Sequence, residues 1–198
     1  MADGFRSMAE INQSRKSALS YDFNKSITLN GCLVIPHPLY KDNRGIFRKV
    51  LPVDGQPALS DFKVAQVNIS NNFLAGTIRG LHYQTGNFLE SKLISCTKGS
   101  VFDVLLDMRP DSDTYRQYAY YHLTPESGSL LVSPLIAHGF QTLEDDTTLL
   151  YIHSNNYSLN ESKGVNPFDP NLAINWPLET TAISESDKNL PLLSEVID

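Results

Sequence analysis

The chain has 198 residues, 41% of them apolar, with eleven Gly and eleven Pro: enough for one sizeable core and too few for two ordinary domains. A formal net charge of −6 and a pI near 5.3 argue against a nucleic-acid partner, which would want a basic face, but leave room for a local basic cluster around a small anion. Cys32 and Cys96 form neither a metal spacing nor a disulfide framework, which fits a reduced, cytoplasmic compartment, and neither a signal-type apolar region nor a membrane-length apolar run occurs.

Residues 1–27 are polar and weakly patterned and read as a flexible arm or an oligomer contact, leaving 28–198 as one domain. From there the pattern is mostly strand. "LVIPHPLY", "GIFRKVLP", "FKVAQVNIS", "GTIRGLHYQ", "KLISCT", "SVFDVLLDM", "QYAYYHLT", "SLLVSP", "HGFQTL" and "TLLYIHSNNYS" are short segments rich in Val, Ile, Leu, Tyr and Phe. Turn residues separate them, as in "KDNRG", "RPDSD", "TPESG" and "LEDD". No segment before residue 170 shows convincing helical periodicity, and the Pro- and Asx-rich tail predicts loop plus a short helix. Many short strands at close spacing predict an all-β sandwich or barrel, the double-sheet jelly roll among them.

"TKG" suggests a two-residue turn at Lys98-Gly99, which would set Ile94 opposite Asp103 and Lys92 opposite Leu105. One face then carries Lys92, Ile94, Cys96, Val101, Asp103, Leu105 and Asp107, and the other Phe102, Val104, Leu106 and Met108. The second is a core face. The first mixes apolar residues with charges, as a ligand-lined barrel interior would; a surface pair of Lys92 and Asp103 is the alternative.

"AGTIRGLHYQTGNFLESKL" (75–93) brings Arg79, His82 and Lys92 close together on apolar footing. His82 is one of five histidines, with His37, His122, His138 and His153. A jelly roll with scattered histidines raises a metal site, but no His-x-His pair occurs and no glutamate lies close behind His82, so no metal and no cofactor are expected. The other chemistry is acid–base. A histidine base needs a carboxylate to fix its tautomer, the enolate formed beside a carbonyl needs a cation such as Lys92, and a second acid must return the proton to the opposite face. Tyrosine is common in that last role, and together these groups describe an epimerase acting alpha to a ketone.

"DNRGIF" (42–47), "QVNIS" (66–70), "RGLHYQ" (79–84), "KLISCTKGSVFDVLLDMR" (92–109), "AHGF" (137–140), "LYIHSNNY" (150–157), "DPNLAINWP" (169–177) and "LSEV" near the end occur in an order and spacing that resemble the dTDP-4-dehydrorhamnose 3,5-epimerase family. The resemblance covers roughly residues 28 to 195, and "RGLHYQ" followed by "KL…GSVFDV" is its most specific part. It implies a metal-free, cupin-type jelly roll, usually a homodimer whose strands and ligand contacts are shared across the interface. It implies an isomerase that acts on a nucleotide-linked 4-keto-6-deoxyhexose, at C3 or at both C3 and C5, in deoxysugar biosynthesis for O-antigen or a related glycan.

The resemblance makes His82 the base and Asp187 its partner, Lys92 the group on the C4 oxygen with Asp103 holding it, and Tyr151 the donor on the opposite face. Arg44, Gln66, Asn68, Arg79 and His138 match ligand-binding positions, the arginines suiting a diphosphate, and Tyr157 falls where the family stacks the base. Three positions depart from the pattern: Lys49 and Ser162 stand where glutamates are usual, Glu161 being adjacent to the second, and Ser186 replaces a basic residue. Lys49, with donors only, suits cytosine N3 and O2 if it occupies the base pocket; if it points to solvent, dTDP remains the carrier. A non-catalytic sugar-nucleotide binder, or a 4-keto to 3-keto isomerase, is the alternative to an epimerase; "RGLHYQ" speaks against the second.

Overall fold

The computed structural model describes residues 26–196. Of the arm expected over 1–27, residues 1–25 lie outside them; Ser26 is already joined to the body, its Oγ accepting the Tyr120 backbone N–H at 2.7 Å. Twelve strands follow: β1 Cys32–Ile35, β2 Leu39–Asp42, β3 Gly45–Arg48, β4 Gln66–Asn72, β5 Ile78–Gln84, β6 Lys92–Lys98, β7 Val101–Asp107, β8 Tyr118–Leu123, β9 Ser129–Val132, β10 Ile136–Thr142, β11 Thr147–His153 and β12 Ser162–Gly164. They form two five-stranded antiparallel sheets, ordered β1-β9-β6-β11-β4 and β12-β5-β10-β7-β8, and β2 and β3 make a separate hairpin. This is the expected cupin-like double-sheet jelly roll. β12 went unpredicted because "SKG" carries no β-branched or aromatic residue. Among the described residues no helix is long and apolar enough to cross a membrane.

The expected β6–β7 hairpin is corrected. Ile94 pairs with Leu130 and Tyr151, and Leu105 with His138 and Ala119, so the chain passes from one sheet to the other at Lys98-Gly99. Gly99 has a positive φ of 74°, and a side chain there would run into Thr147. The division of faces nevertheless holds. Ile94, Cys96, Val101 and Leu105 join Phe140 and Leu149 in the core between the sheets, whereas Phe102, Val104, Leu106 and Met108 pack outward. Lys92 and Asp103 are 8% and 0% exposed, so neither belongs to a surface pair.

The outward core is covered by the C-terminal tail. Leu172, Leu178, Leu193 and Trp176 lie on it, the indole meeting Phe102 edge-on at 5.7 Å and donating to the Pro167 carbonyl at 2.9 Å. Gln141, fully buried, clasps the tail: its amide donates to the Leu178 carbonyl at 2.8 Å and accepts the Leu178 N–H at 2.9 Å. Beyond the clasp the tail bonds the start of β5, the Ile78 N–H donating to the Ala182 carbonyl at 2.8 Å. The short helix α1, Glu185–Lys188, follows, with the Ser184 hydroxyl capping it by accepting the Asp187 N–H.

Candidate active site

Between the sheets a pocket of about 740 Å³ opens, a size suited to a small-molecule ligand. Period-2 alternation sets its walls. In the first sheet one row places Gln66, His153 and Lys92 side by side across β4, β11 and β6, and the next places Asn68 beside Tyr151. From the second sheet, His82 on β5 lies opposite His138 on β10. That pairing depends on close backbone approach: Gly80 has φ of 114°, and a Cβ there would lie 2.7 Å from the His138 carbonyl oxygen.

His82 meets the tail. Its Nε2 lies 2.9 Å from Asp187 Oδ1, and the other carboxylate oxygen accepts the Gly80 N–H at 3.1 Å. Burial works against the charge on Asp187, but the His82 contact, the Gly80 N–H and the Ser184 hydroxyl hold its carboxyl below the usual carboxylate range. An ionised Asp187 that accepts Nε2–H leaves Nδ1 as the basic nitrogen of His82.

Lys92, with its side chain 10% exposed, reaches the His82 carbonyl at 3.2 Å and Glu90 Oε1 at 3.3 Å. Burial pulls its ammonium down in pKa, while the negative charges of Glu90 and, at longer range, Asp103 oppose the fall. These contacts take two of its three N–H donors. The expectation that Asp103 holds Lys92 is corrected: Asp103 Oδ2 pairs with His138 Nε2 at 2.8 Å, and the carboxylate against the lysine is Glu90. Burial raises the Asp103 carboxyl and His138 opposes the shift. Tyr151 stands between two imidazoles, edge-on to His138 at 5.9 Å and stacked on His153 at 6.1 Å. Burial, then Asp103, pushes its phenol well above the ordinary value, so the hydroxyl keeps its proton.

Arg79, Asn68 and Tyr157 also line the pocket, with Gln66 at its rim hydrogen-bonded to Asn68 at 3.1 Å. Two of the three departures face it too, Ser162 and Ser186. Glu161 does not stand in for a pocket glutamate: its carboxylate accepts from the Thr85 hydroxyl at 2.8 Å. Arg44 and Lys49 lie elsewhere. Arg44 sits at the tip of the β2–β3 hairpin, its side chain 86% exposed and paired with Asp42, and Lys49 is exposed just past the end of β3. Sequence reasoning missed Glu90 and the role of His153. The available signal was alternation, since His153 follows Tyr151 by two residues and therefore shares its face.

A jelly roll whose inter-sheet pocket holds a carboxylate-bound histidine, a buried lysine and a protonated tyrosine defines a carbohydrate-epimerase type of enzyme. A profile of the family described as dTDP-4-dehydrorhamnose 3,5-epimerase matches residues 26–195, and the chain belongs to that family of deoxysugar-biosynthesis isomerases. It is 38% identical over 160 residues to a dTDP-4-dehydrorhamnose 3,5-epimerase of Sinorhizobium fredii, covering 79% of this chain and 82% of the relative. It is 35% identical over 164 residues to a dTDP-4-dehydrorhamnose 3-epimerase of Streptomyces niveus, covering 79% and 77%. The crystal structure of dTDP-4-dehydrorhamnose 3,5-epimerase from Bacillus anthracis, with TDP and pyrophosphate bound, superposes with a TM-score of 0.79 at 36% identity, covering 85% of this chain and 99% of that one.

Proposed function

We propose that this chain epimerises a dTDP-linked 4-keto-6-deoxyhexose by metal-free proton transfer at a carbon alpha to the C4 ketone. The observation that carries the reading is the His82–Asp187 contact at 2.9 Å in the pocket that Lys92 and Tyr151 share. His82 Nδ1 takes the C–H proton, and the electron pair moves into the carbonyl as an enolate. The Lys92 ammonium holds that oxygen, and the Tyr151 hydroxyl delivers a proton to the opposite face as the ketone re-forms. Imidazolium and tyrosinate are left, and exchange with solvent resets both. Arg79 contributes charge for the diphosphate, and the exposed ring of Tyr157 offers a surface on which the base stacks.

The site is completed in a homodimer. The β2–β3 hairpin stands off with Tyr40 and Phe47 56% and 64% exposed, and the edge strand β4 leaves Val67 and Ile69 55% and 66% exposed. Burying these faces against a second copy would carry Arg44 to the partner's pocket. The unpaired Cys32 and Cys96 suit the cytoplasm.

The test is proton NMR in deuterated water with the dTDP-linked 4-keto sugar. Deuterium entering with inversion at C3, or at C3 and C5, is expected, and relatives of both named specificities resemble the chain. Binding without exchange would make the protein a sugar-nucleotide binder, and a 3-keto product would make it an isomerase. Activity lost on chelation and restored by a divalent ion would overturn the metal-free mechanism.

A further inference from the structure

Glu90 and His153 have no part in the proton transfers above, yet both line the pocket, and Glu90 is 7% exposed. Glu90 joins two partners: Oε2 lies 2.8 Å from His153 Nδ1 and Oε1 lies 3.3 Å from Lys92 Nζ. On its far side His153 Nε2 lies 3.2 Å from Asn68 Nδ2. Asn68 Oδ1 in turn accepts from Gln66 Nε2 at 3.1 Å, and Gln66 Oε1 accepts the backbone N–H of Tyr157 at 3.1 Å.

The direction of this chain follows from its fixed end. A backbone N–H is a donor in every protonation state, so the Gln66 oxygen must face Tyr157 and its NH2 must face Asn68. Asn68 then presents its NH2 to His153 Nε2, which must accept. His153 is therefore neutral with its proton on Nδ1, and it donates to Glu90. Glu90 receives this hydrogen bond on one oxygen and faces the Lys92 ammonium with the other.

We infer that Glu90 and His153 are positioning residues for Lys92, linked by a one-directional hydrogen-bond chain to the Gln66, Asn68 and Tyr157 end of the pocket. The inference rests on the reading of Lys92 as the group that holds the C4 oxygen. Without Glu90 the ammonium would be buried against the His82 carbonyl with the longer-range charge of Asp103, itself engaged with His138, to oppose its burial. An ammonium so placed loses its proton more readily, because burial would go unopposed by a contacting charge.

The experiment is kcat and KM against pH for the full chain, its Glu90→Gln and His153→Phe variants, and Lys92→Met, with thermal melts confirming that each folds. A glutamine can satisfy His153 or Lys92 but not both. Glu90→Gln should lower kcat by on the order of a hundredfold, the cost of a displaced catalytic group, and move its alkaline limb to lower pH. His153→Phe keeps a ring against Tyr151 and the charge of Glu90, so kcat should fall with the alkaline limb in place. Nitrogen-15 NMR of the wild-type protein should find neutral His153 protonated on Nδ1. Wild-type kcat and pH profiles in both variants, or an Nε2–H tautomer, would overturn the inference. Full activity in Lys92→Met would instead remove the underlying reading of the lysine, whereas an inactive Lys92→Met beside an unaltered Glu90→Gln would remove this inference alone.

Discussion

His82 and Asp187 are 105 residues apart in sequence, and their side chains meet at 2.9 Å because the C-terminal tail is fastened across the outside of the second sheet. The histidine thus belongs to a strand and its carboxylate partner to a segment held by side-chain clasps. On the proposed mechanism, catalytic geometry and tail packing are one structural problem in this protein.

Replacing His82 by Asn should abolish deuterium uptake at C3 while leaving nucleotide binding nearly intact. Asp187→Asn removes the negative charge beside the imidazole and leaves one acceptor oxygen for the two donors, His82 and Gly80, so kcat should fall by roughly 10²–10⁴-fold, the range of a lost general-base contribution. Tyr151→Phe should keep some C–H exchange but impair net inversion. Persistent wild-type exchange in His82→Asn would remove the base assignment, and full-rate inversion in Tyr151→Phe would make the tyrosine a packing residue. The Asp187 carboxyl lies below its usual range, so the stability it adds is fully present above about pH 4 and is lost as the pH falls through its lower folded-state value. Acid melts of wild type and Asp187→Asn should therefore converge below that window.

Gln141→Leu tests whether the tail clasp serves the site. The substitution strands the N–H and C=O of Leu178, which is 9% exposed, and each unsatisfied group costs about 1–3 kcal/mol. For two such groups in a chain of this size that corresponds to a Tm lower by roughly 4–24 °C. kcat should fall in the folded variant, because the clasp sits between β10 and the segment that delivers Asp187. An unchanged kcat with a lowered Tm would show that the Ala182 and Gly80 contacts suffice to place the carboxylate.

Much of this was legible in the sequence because strand alternation is local. The faces of β6 and β7 were readable from their pattern, Lys92 and Ile94 on one side and Phe102 and Val104 on the other. Their pairing was not, since two strands joined by Lys98-Gly99 read alike whether they form a hairpin or cross between sheets. Both are buried on both faces and flanked on both sides, β6 by β9 and β11 and β7 by β10 and β8, and neither pairs with the other. The Glu90 contact to Lys92 was hidden for a related reason. A carboxylate two residues before a lysine reads as a solvated pair until burial is known, and the His153 that completes it lies 63 residues away. The motif for Asp187 was readable only through the family resemblance, because "SESDKNLP" carries no signal of a partner on β5.

If the hairpin serves the neighbouring subunit, Arg44→Ala and His82→Ala should each be nearly inactive, and mixing them should restore activity. A mixed dimer places an intact His82 beside an intact Arg44 in one of its two pockets. Random reassortment makes half the dimers mixed, so about a quarter of wild-type activity is expected. Sedimentation of the wild-type chain should show a dimer. No recovery on subunit exchange, verified by mass spectrometry of the mixed species, would place Arg44 outside the site.

The remaining prediction concerns the base, and it turns on Lys49. This residue is exposed, with its backbone N–H bonded to the Pro38 carbonyl at 3.1 Å, so its side chain is free to meet a second copy. Thymine presents an N3–H donor between two carbonyls, which a glutamate would accept and a lysine cannot. Cytosine presents an unprotonated N3 beside O2, and a lysine donor suits both. Calorimetric titration of dTDP, CDP, UDP and GDP distinguishes the two placements. With dTDP as the carrier and Lys49 outside the base pocket, dTDP should bind most tightly and Lys49→Glu should leave the order unchanged. A CDP preference that Lys49→Glu turns toward dTDP would put the lysine on the base and replace the carrier by a cytidine diphosphate. The contrast should be large, because a hydrogen-bonding site left with unpaired groups discriminates by about 1–3 kcal/mol for each of them.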